Sequence, residues 1–127
     1  MTKLEIIPLE GIPEISPGDD LVEIIGQLDT IQSGDILVVT QKIISKAENQ
    51  MVDIDPNDPL SHKPLVERES VRILRRRGDL IISQTKHGFV CANAGIDLSN
   101  VERGQAALLP DDSDRSARRL RDGLAGR

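Results

Sequence analysis

The stretch of the sequence with the clearest chemical potential spans residues 88–101 and ends in a turn rich in polar side chains. Asp97 and Asn100 are three residues apart, so one tight turn could aim both side chains at the same point. A carboxylate supplies a hard oxygen ligand for Mg²⁺ or Mn²⁺, and a nearby amide can hydrogen-bond a ribose, a base or a phosphate oxygen. The alternative is a turn in which Asp and Asn cap their own backbone, and spacing alone favours this second interpretation.

A second set of candidate residues follows the run of four aliphatic residues at 36–39. Such a run predicts a strand buried on both faces, and an open α/β sheet places phosphate-contacting groups directly after such strands. Gln41, Lys42 and Lys46 lie in this segment, and the two lysines share one face if it is helical. The chain has no GxxxxGK[ST] phosphate loop, so a phosphate would be held by another device. The alternative is that both lysines are solvated surface.

An arginine-rich segment is predicted as a helix that begins at Pro64, runs to about Arg77 and ends at Gly78 as its C-cap. Helical spacing places four arginines in a stripe: Arg68, Arg72, Arg75 and Arg76. The stripe could face an anionic substrate. A solvated face with positive charge near the helix C-terminus is the simpler interpretation.

The single cysteine, Cys91, excludes an intramolecular disulfide and a cysteine zinc cluster among these residues. It lies in the apolar run 89–92, which predicts a small buried hydrophobic residue rather than a reactive thiol. His87 is four residues away, and we expect it to point elsewhere across the strand. His62 falls in the polar stretch 49–63, which predicts a long loop with an exposed histidine.

Composition narrows the class of protein further. The chain has 127 residues, enough for one domain, and a single Phe with no Tyr or Trp, so its core must be aliphatic. The net charge of −5 and the lack of aromatic platforms argue against nucleic-acid binding. No apolar run approaches the ~20 residues of a membrane helix, and the N-terminus lacks signal-peptide features, so we expect a cytoplasmic protein.

The remaining hydrophobic pattern predicts short strands alternating with helices. The predicted strands are 3–7, 36–39, 80–84, 89–93 and 106–110, and the predicted helices are 16–28, 64–77 and 116–124. The two strands around the turn 85–88 are spaced as a hairpin.

Four motifs in a fixed order point to a family. They are GDILVV at 34–39, ISKAE at 44–48, NAGIDLSNV at 93–101 and LLPDD at 108–112. Together they resemble the N-terminal half of the coenzyme F-420:L-glutamate ligase family, the γ-glutamyl ligases of deazaflavin cofactor biosynthesis. The resemblance covers essentially the whole chain, 1–127, and implies an α+β fold in which flanking helices pack on a mixed sheet.

The resemblance also implies an activity. Members of the family use GTP to join L-glutamate to the lactyl-phosphate carboxyl of coenzyme F-420-0, by way of an acyl phosphate. A divalent metal, Mg²⁺ or Mn²⁺, is required, and K⁺ is a further cofactor candidate. The family forms homodimers of intertwined subunits, so a homodimer is implied here as well.

Site residues carry over by motif. Asp97 resembles a metal ligand, Asn100 a GTP contact and Lys46 a phosphate-binding cation. Gln41 and Lys42 occupy the family's nucleotide-contacting pair, where small hydroxyl residues are common. The loop that touches the nucleotide near the N-terminus is matched by Glu10, Gly11, Ile12 and Pro13. The resemblance assigns no catalytic residue.

Length is the main departure from the family. Its members are about twice as long, and their next segment has a Thr-Asp-Thr-x-Gly-Arg-like motif with further metal-binding acids. We therefore expect this chain to be a fragment, a truncated product or one half of a split enzyme that needs a complementing C-terminal half. The rival hypothesis is a non-catalytic module that holds a nucleotide or a partner subunit.

Overall fold

The computed structural model describes residues 2–100 and 103–126 and confirms the α+β class. Val101, the last residue of the motif 93–101, lies outside the described residues. The helices are α1 (Leu21–Gly26), α2 (Gln41–Ala47), α3 (Lys63–Glu69) and α4 (Ser113–Leu124). The strands are β1 (Met51–Asp53), β2 (Ser70–Arg77), β3 (Leu80–Thr85), β4 (Val90–Ala92) and β5 (Gln105–Ala107).

The strands form two small antiparallel sheets. One has the order β2-β3-β4, and the other pairs β1 with β5. The hairpin predicted around residues 85–88 is confirmed as β3 and β4, with Ser83 opposite Cys91. Every ladder in the described part of the chain is antiparallel, whereas a mixed sheet was expected.

Two aliphatic clusters form the core, as the lack of aromatic residues predicted. The first joins the two sheets to α3, and its buried members are Val66, Ile81, Ala94, Ile96, Ala106 and Leu108. The second joins α1, α2 and α4, and its buried members are Ile15, Leu21, Ile25, Ile44 and Leu120. Because α2 belongs to the second cluster and contacts β5, it connects the two halves of the core.

The predicted helix 64–77 is wrong beyond its first two turns. The helix α3 ends at Glu69, and the chain continues as the edge strand β2. The physical reason is tertiary: Ile73 reaches the first core cluster only as part of a strand paired with β3. Three members of the arginine stripe therefore lie on an edge strand, where charged side chains discourage pairing with other molecules: Arg72, Arg75 and Arg76.

The predicted strands 3–7 and 36–39 are also wrong. Both segments are irregular, because no neighbouring backbone pairs with them in the described part of the chain. In the second segment, Leu37 and Val39 pack against the second cluster, whereas Ile36 and Val38 are 91% and 88% exposed. The four aliphatic residues thus cover the core on one side only.

Smaller corrections concern the boundaries and the histidines. The loop 49–63 contains the strand β1, and His62 is buried at the start of α3 instead of exposed. The helix predicted at 16–28 is limited to α1, and the final helix begins three residues earlier than predicted, at Ser113. No helix among the described residues is both long and apolar enough to cross a membrane.

Cys91 and His87 do not form a pair in the structure. The Cys91 side chain is half-buried on β4, and its burial raises the pKa of the thiol, which keeps it protonated. The His87 ring stacks on Phe89, and its Nε2 lies 2.7 Å from the carbonyl oxygen of Pro110. Both observations agree with a structural role for the cysteine.

Candidate functional site

A left-handed turn starts the loop that holds the candidate ligands. Asn93, Ala94 and Gly95 have φ angles of 49°, 52° and 72°, a left-handed conformation that glycine adopts freely, asparagine tolerates and alanine adopts only with strain. The turn is fixed because Asn93 Oδ1 accepts a hydrogen bond of 3.1 Å from the backbone N–H of Ile81. The chain leaves this turn in an orientation that brings Asp97 beside β5.

Asp97 is held in place through its backbone. Its N–H donates to the carbonyl oxygen of Ala107 at 2.9 Å, and its carbonyl oxygen accepts from the N–H of Ala107 at 3.0 Å. Its side-chain Oδ1 accepts a hydrogen bond of 2.8 Å from the N–H of Ser99. The backbone-capping turn that spacing favoured is therefore present, and it leaves Oδ2 directed elsewhere.

Three oxygen-bearing side chains of this loop converge on the ammonium group of Lys42. Lys42 Nζ lies 2.8 Å from Asn100 Oδ1 and 3.6 Å from Asp97 Oδ2, and it donates a hydrogen bond to the Ser99 hydroxyl. Asp97 and Asn100 do meet at one point, as their spacing predicted. Ser99 and the position of Lys42 were missed, and the only sequence signal for Ser99 was its place inside the turn motif.

The electrostatics of this cluster keep Asp97 charged. Burial of its carboxyl raises the pKa, but hydrogen bonds from the Ser99 N–H and hydroxyl and the charge of Lys42 lower it more, so the net pKa lies below its usual value. The Asp97 carboxylate is thus ionised at neutral pH and retains affinity for a cation.

The helix α2 presents its second lysine to the N-terminal loop. Lys46 donates a hydrogen bond to Glu14 Oε1, and the Lys46 side chain is only 17% exposed. Glu14 follows directly after the loop of Glu10, Gly11, Ile12 and Pro13 that the sequence predicted to touch a nucleotide. The Ile12 side chain packs against the second core cluster, while the other three residues of this loop are exposed. The structure therefore brings the loop and the lysine together.

Gln41 has a different environment from the two lysines. Its amide Nε2 donates to Ser45 Oγ at 2.8 Å and to the carbonyl oxygen of Leu108 at 3.0 Å. Ser45 is fully buried and donates to the same carbonyl oxygen. Since Leu108 follows β5, these bonds attach α2 to the strand that also holds Asp97, and so they position Lys42 against the loop.

Replacing Gln41 with Ala should therefore destabilise the protein by about 1 kcal/mol, the usual contribution of a part-buried hydrogen bond. We expect Gln41→Met, which keeps the volume, to lose a similar amount, because the lost contact is polar. Urea unfolding followed by circular dichroism measures the change, and Gln27→Ala is the matched control, because Gln27 is the exposed residue that follows α1 and its amide donates to the exposed Glu23. If both glutamine positions lose equal stability, then Gln41 does not attach α2 to Leu108.

The donor set fits a hard divalent cation in part. Asp97, Ser99 and Asn100 offer one carboxylate, one hydroxyl and one amide oxygen, and in the structure these oxygens surround the positive charge of Lys42. Mg²⁺ commonly binds through one or two carboxylates together with water and substrate phosphates. Among the described residues, no group of three Asp, Glu, His or Cys side chains could hold a metal. A metal at this cluster would therefore take most of its ligands from elsewhere.

The comparisons with known proteins agree with the motifs. A model of the F420-0:gamma-glutamyl ligase family matches residues 11–127. The coenzyme F420:L-glutamate ligase of Methanopyrus kandleri is 38% identical over 133 residues, which cover 94% of this chain and 52% of that protein. The ligases of the same name from Methanothermobacter thermautotrophicus and Archaeoglobus fulgidus are also 38% identical, over 92% and 94% of this chain.

These relatives are longer than the chain. It covers 54% of the Methanothermobacter protein and 53% of the Archaeoglobus protein, so it spans about half the length of the relatives it matches. The resemblance predicted from the four motifs is confirmed over nearly the whole chain, and the chain belongs to the F420-0:gamma-glutamyl ligase family.

Proposed function

We propose that this chain is the nucleotide-contacting part of a GTP-dependent γ-glutamyl ligase that joins L-glutamate to the lactyl-phosphate carboxyl of coenzyme F-420-0. The relatives that cover the chain are named coenzyme F420:L-glutamate ligases, which supports the choice of substrates. The observation that carries the proposal is the convergence of Lys42 with Asp97, Ser99 and Asn100. It combines a cation with a carboxylate and neutral oxygens, the groups that phosphoryl transfer requires.

The proposed reaction has two steps. In the first, a carboxylate oxygen of F-420-0 attacks the γ-phosphorus of GTP, the bond to the β-phosphate oxygen breaks, and GDP leaves an acyl phosphate behind. In the second, the amine of L-glutamate attacks the acyl carbon, loses a proton and expels inorganic phosphate, so that an amide forms. Both steps gather negative charge on phosphate oxygens, and stabilising that charge is the main task of the protein.

Each residue of the site has a part in this scheme. Lys46 neutralises phosphate charge from the one face of α2 that it shares with Lys42. The Asn100 amide orients the nucleotide by hydrogen bonding, and the loop 10–13 encloses it on the side of Glu14. Asp97 would hold Mg²⁺ or Mn²⁺, which when bound would neutralise the phosphate oxygens further. K⁺ remains a second cation candidate, and Gln41 acts here through the attachment of α2 to Leu108.

Other ligands must complete the site. A single carboxylate cannot hold a metal on several sides, so we propose that further acids come from a polypeptide equivalent to the half of the relatives that this chain does not match. A homodimer of the assembled enzyme is part of the same proposal. The alternative function is a non-catalytic nucleotide-binding or assembly module, and the lack of a three-ligand acidic group among the described residues favours it for the chain on its own.

Calorimetric titration of the chain with GTP, with and without Mn²⁺, tests the proposal. We expect heat of binding with GTP and Mn²⁺ together and much less with GTP and a chelator. ATP with Mn²⁺ serves as the control for base selectivity. A folded chain that binds no GTP under any of these conditions would contradict the proposal.

A second assay separates the ligase from the binding module. It follows the transfer of labelled glutamate to F-420-0 with GTP and Mn²⁺ present. Transfer by the chain, alone or with a complementing polypeptide, supports the ligase. Binding of GTP with no transfer in either case supports the module.

A further inference from the structure

The carboxylate of Glu14 is paired with the ammonium group of Lys46, which lies on a separate segment of the chain. It accepts a hydrogen bond from Lys46, and the charges of Lys46, Arg103 and Lys42 all act on it. The hydrogen bond and charge of Lys46 lower the pKa of Glu14 most, and Arg103 and Lys42 add to the effect. The Glu14 carboxylate thus occupies the position at which the Lys46 ammonium group would bind another anion.

The two members of the ion pair differ in how firmly they are held. The Lys46 side chain is only 17% exposed. It projects from α2, and the preceding residue of that helix, Ser45, is fully buried. The Glu14 side chain is 72% exposed, and the next residue, Ile15, is buried in the second core cluster. Rotation of the Glu14 side chain alone would therefore break the ion pair and free the ammonium group of Lys46, with no change of the backbone.

Building on the function proposed above, we propose that Glu14 is an internal competitor for the phosphate groups of the ligand and lowers the affinity of the site for them. Its carboxylate neutralises the positive charge that Lys46 would otherwise offer to an incoming phosphate. A phosphate group displaces it because it has a higher charge and more acceptor oxygens than a carboxylate.

The size of the effect follows from the exposure of the pair. Ion pairs of exposed carboxylates are weak, so the need to displace Glu14 should reduce the affinity of the site for phosphate compounds by a factor of about two to five. Glu14→Gln keeps the size of the side chain and its acceptor oxygen but removes the charge. It should therefore tighten the binding of phosphate compounds by about twofold to fivefold, with the larger gain at low salt.

Inorganic pyrophosphate is the probe, since it has the charge of the nucleotide phosphates without a base or ribose. Its affinity is measured by calorimetry at low ionic strength for the wild-type chain and for Glu14→Gln. Glu67→Gln is the matched control, because Glu67 is also an exposed carboxylate and is paired with a cation, Arg76, on the edge strand. Lys46→Gln should change affinity in the opposite direction, because it removes the cation that Glu14 and the phosphate compete for, and circular dichroism checks that each variant is folded.

The pyrophosphate titrations have one outcome that supports the competitor role and several that contradict it. Tighter binding in Glu14→Gln but not in Glu67→Gln supports the competitor role. Three results would overturn the competitor role: unchanged or weaker pyrophosphate binding in Glu14→Gln, equal gains in Glu14→Gln and Glu67→Gln, or no pyrophosphate binding by the wild-type chain or by Glu14→Gln. If pyrophosphate gives the expected gain while GTP with Mn²⁺ binds to no variant, the inference stands and the proposed ligase function fails.

Discussion

Replacing Asp97 with Asn is expected to weaken metal-dependent GTP binding by about 10-fold to 100-fold, because hydrogen bonds and contacts to a charged group contribute about 1.5–3 kcal/mol each. Asn keeps an oxygen that can accept from the Ser99 N–H, so the backbone-capping turn should persist. Only the charge that would attract the cation is removed. Calorimetric titration with GTP and Mn²⁺ measures the loss.

The stability of this variant provides an internal control. The ion pair of Asp97 with Lys42 is about one-third exposed on each side, so its loss should change the free energy of unfolding by less than about 1 kcal/mol. Asp29→Asn, on an exposed carboxylate between α1 and α2, should change neither property. Unchanged GTP binding in Asp97→Asn would remove Asp97 from the site, and a large loss of stability would give it a structural role.

The same residue shows which part of the site could be predicted from the sequence. Asp97 and Asn100 lie within one turn, so their distance along the chain fixes their distance in space. The partner of that turn, Lys42, is 58 residues from Asn100, and no pattern inside either segment encodes the contact. Glu14 was missed for the same reason, since it meets Lys46 across 32 residues.

Prediction of the fold from the sequence has the same limit, because it detects contacts between adjacent segments and misses contacts between distant ones. The hairpin of β3 and β4 was predictable because its turn and both strands are adjacent in sequence. The segment after Glu69 was assigned to a helix because its arginines have helical spacing and good helix propensity. Pairing with β3 and burial of Ile73 outweigh that preference, and propensity alone contains neither contribution.

The strand predictions at 3–7 and 36–39 were wrong because a tertiary contact is missing, whereas the helix prediction was wrong because a tertiary contact is present. Their residues have the right side chains for strands, but a strand also needs a neighbouring backbone to pair with. Propensity predicts how a residue fits a pleated surface and does not predict whether a neighbour is available. The exposure of Ile36 and Val38 is the structural result of that missing partner in the described part of the chain.

Replacing Gly95 with Ala should have the largest effect on stability, a loss of about 2–4 kcal/mol and about 10 °C in melting temperature. Two causes add here. The φ angle of 72° strains any residue with a side chain, and a Cβ at this position would lie 2.7 Å from Leu109 Cδ1. Because the turn 93–95 orients Asp97, the remaining folded protein should also bind GTP less tightly. Thermal unfolding followed by circular dichroism, and GTP titration, measure the two effects.

Two further variants divide this loss between its causes. Gly88 also has a positive φ, of 87°, but has no atom within 4 Å of a built Cβ, so Gly88→Ala should lose only about 1 kcal/mol through strain. In the Leu109→Ala background the overlap is gone, so Gly95→Ala should cost less there than in the wild type. If Gly95→Ala is no more destabilising than Gly88→Ala, then Leu109 does not press on the turn.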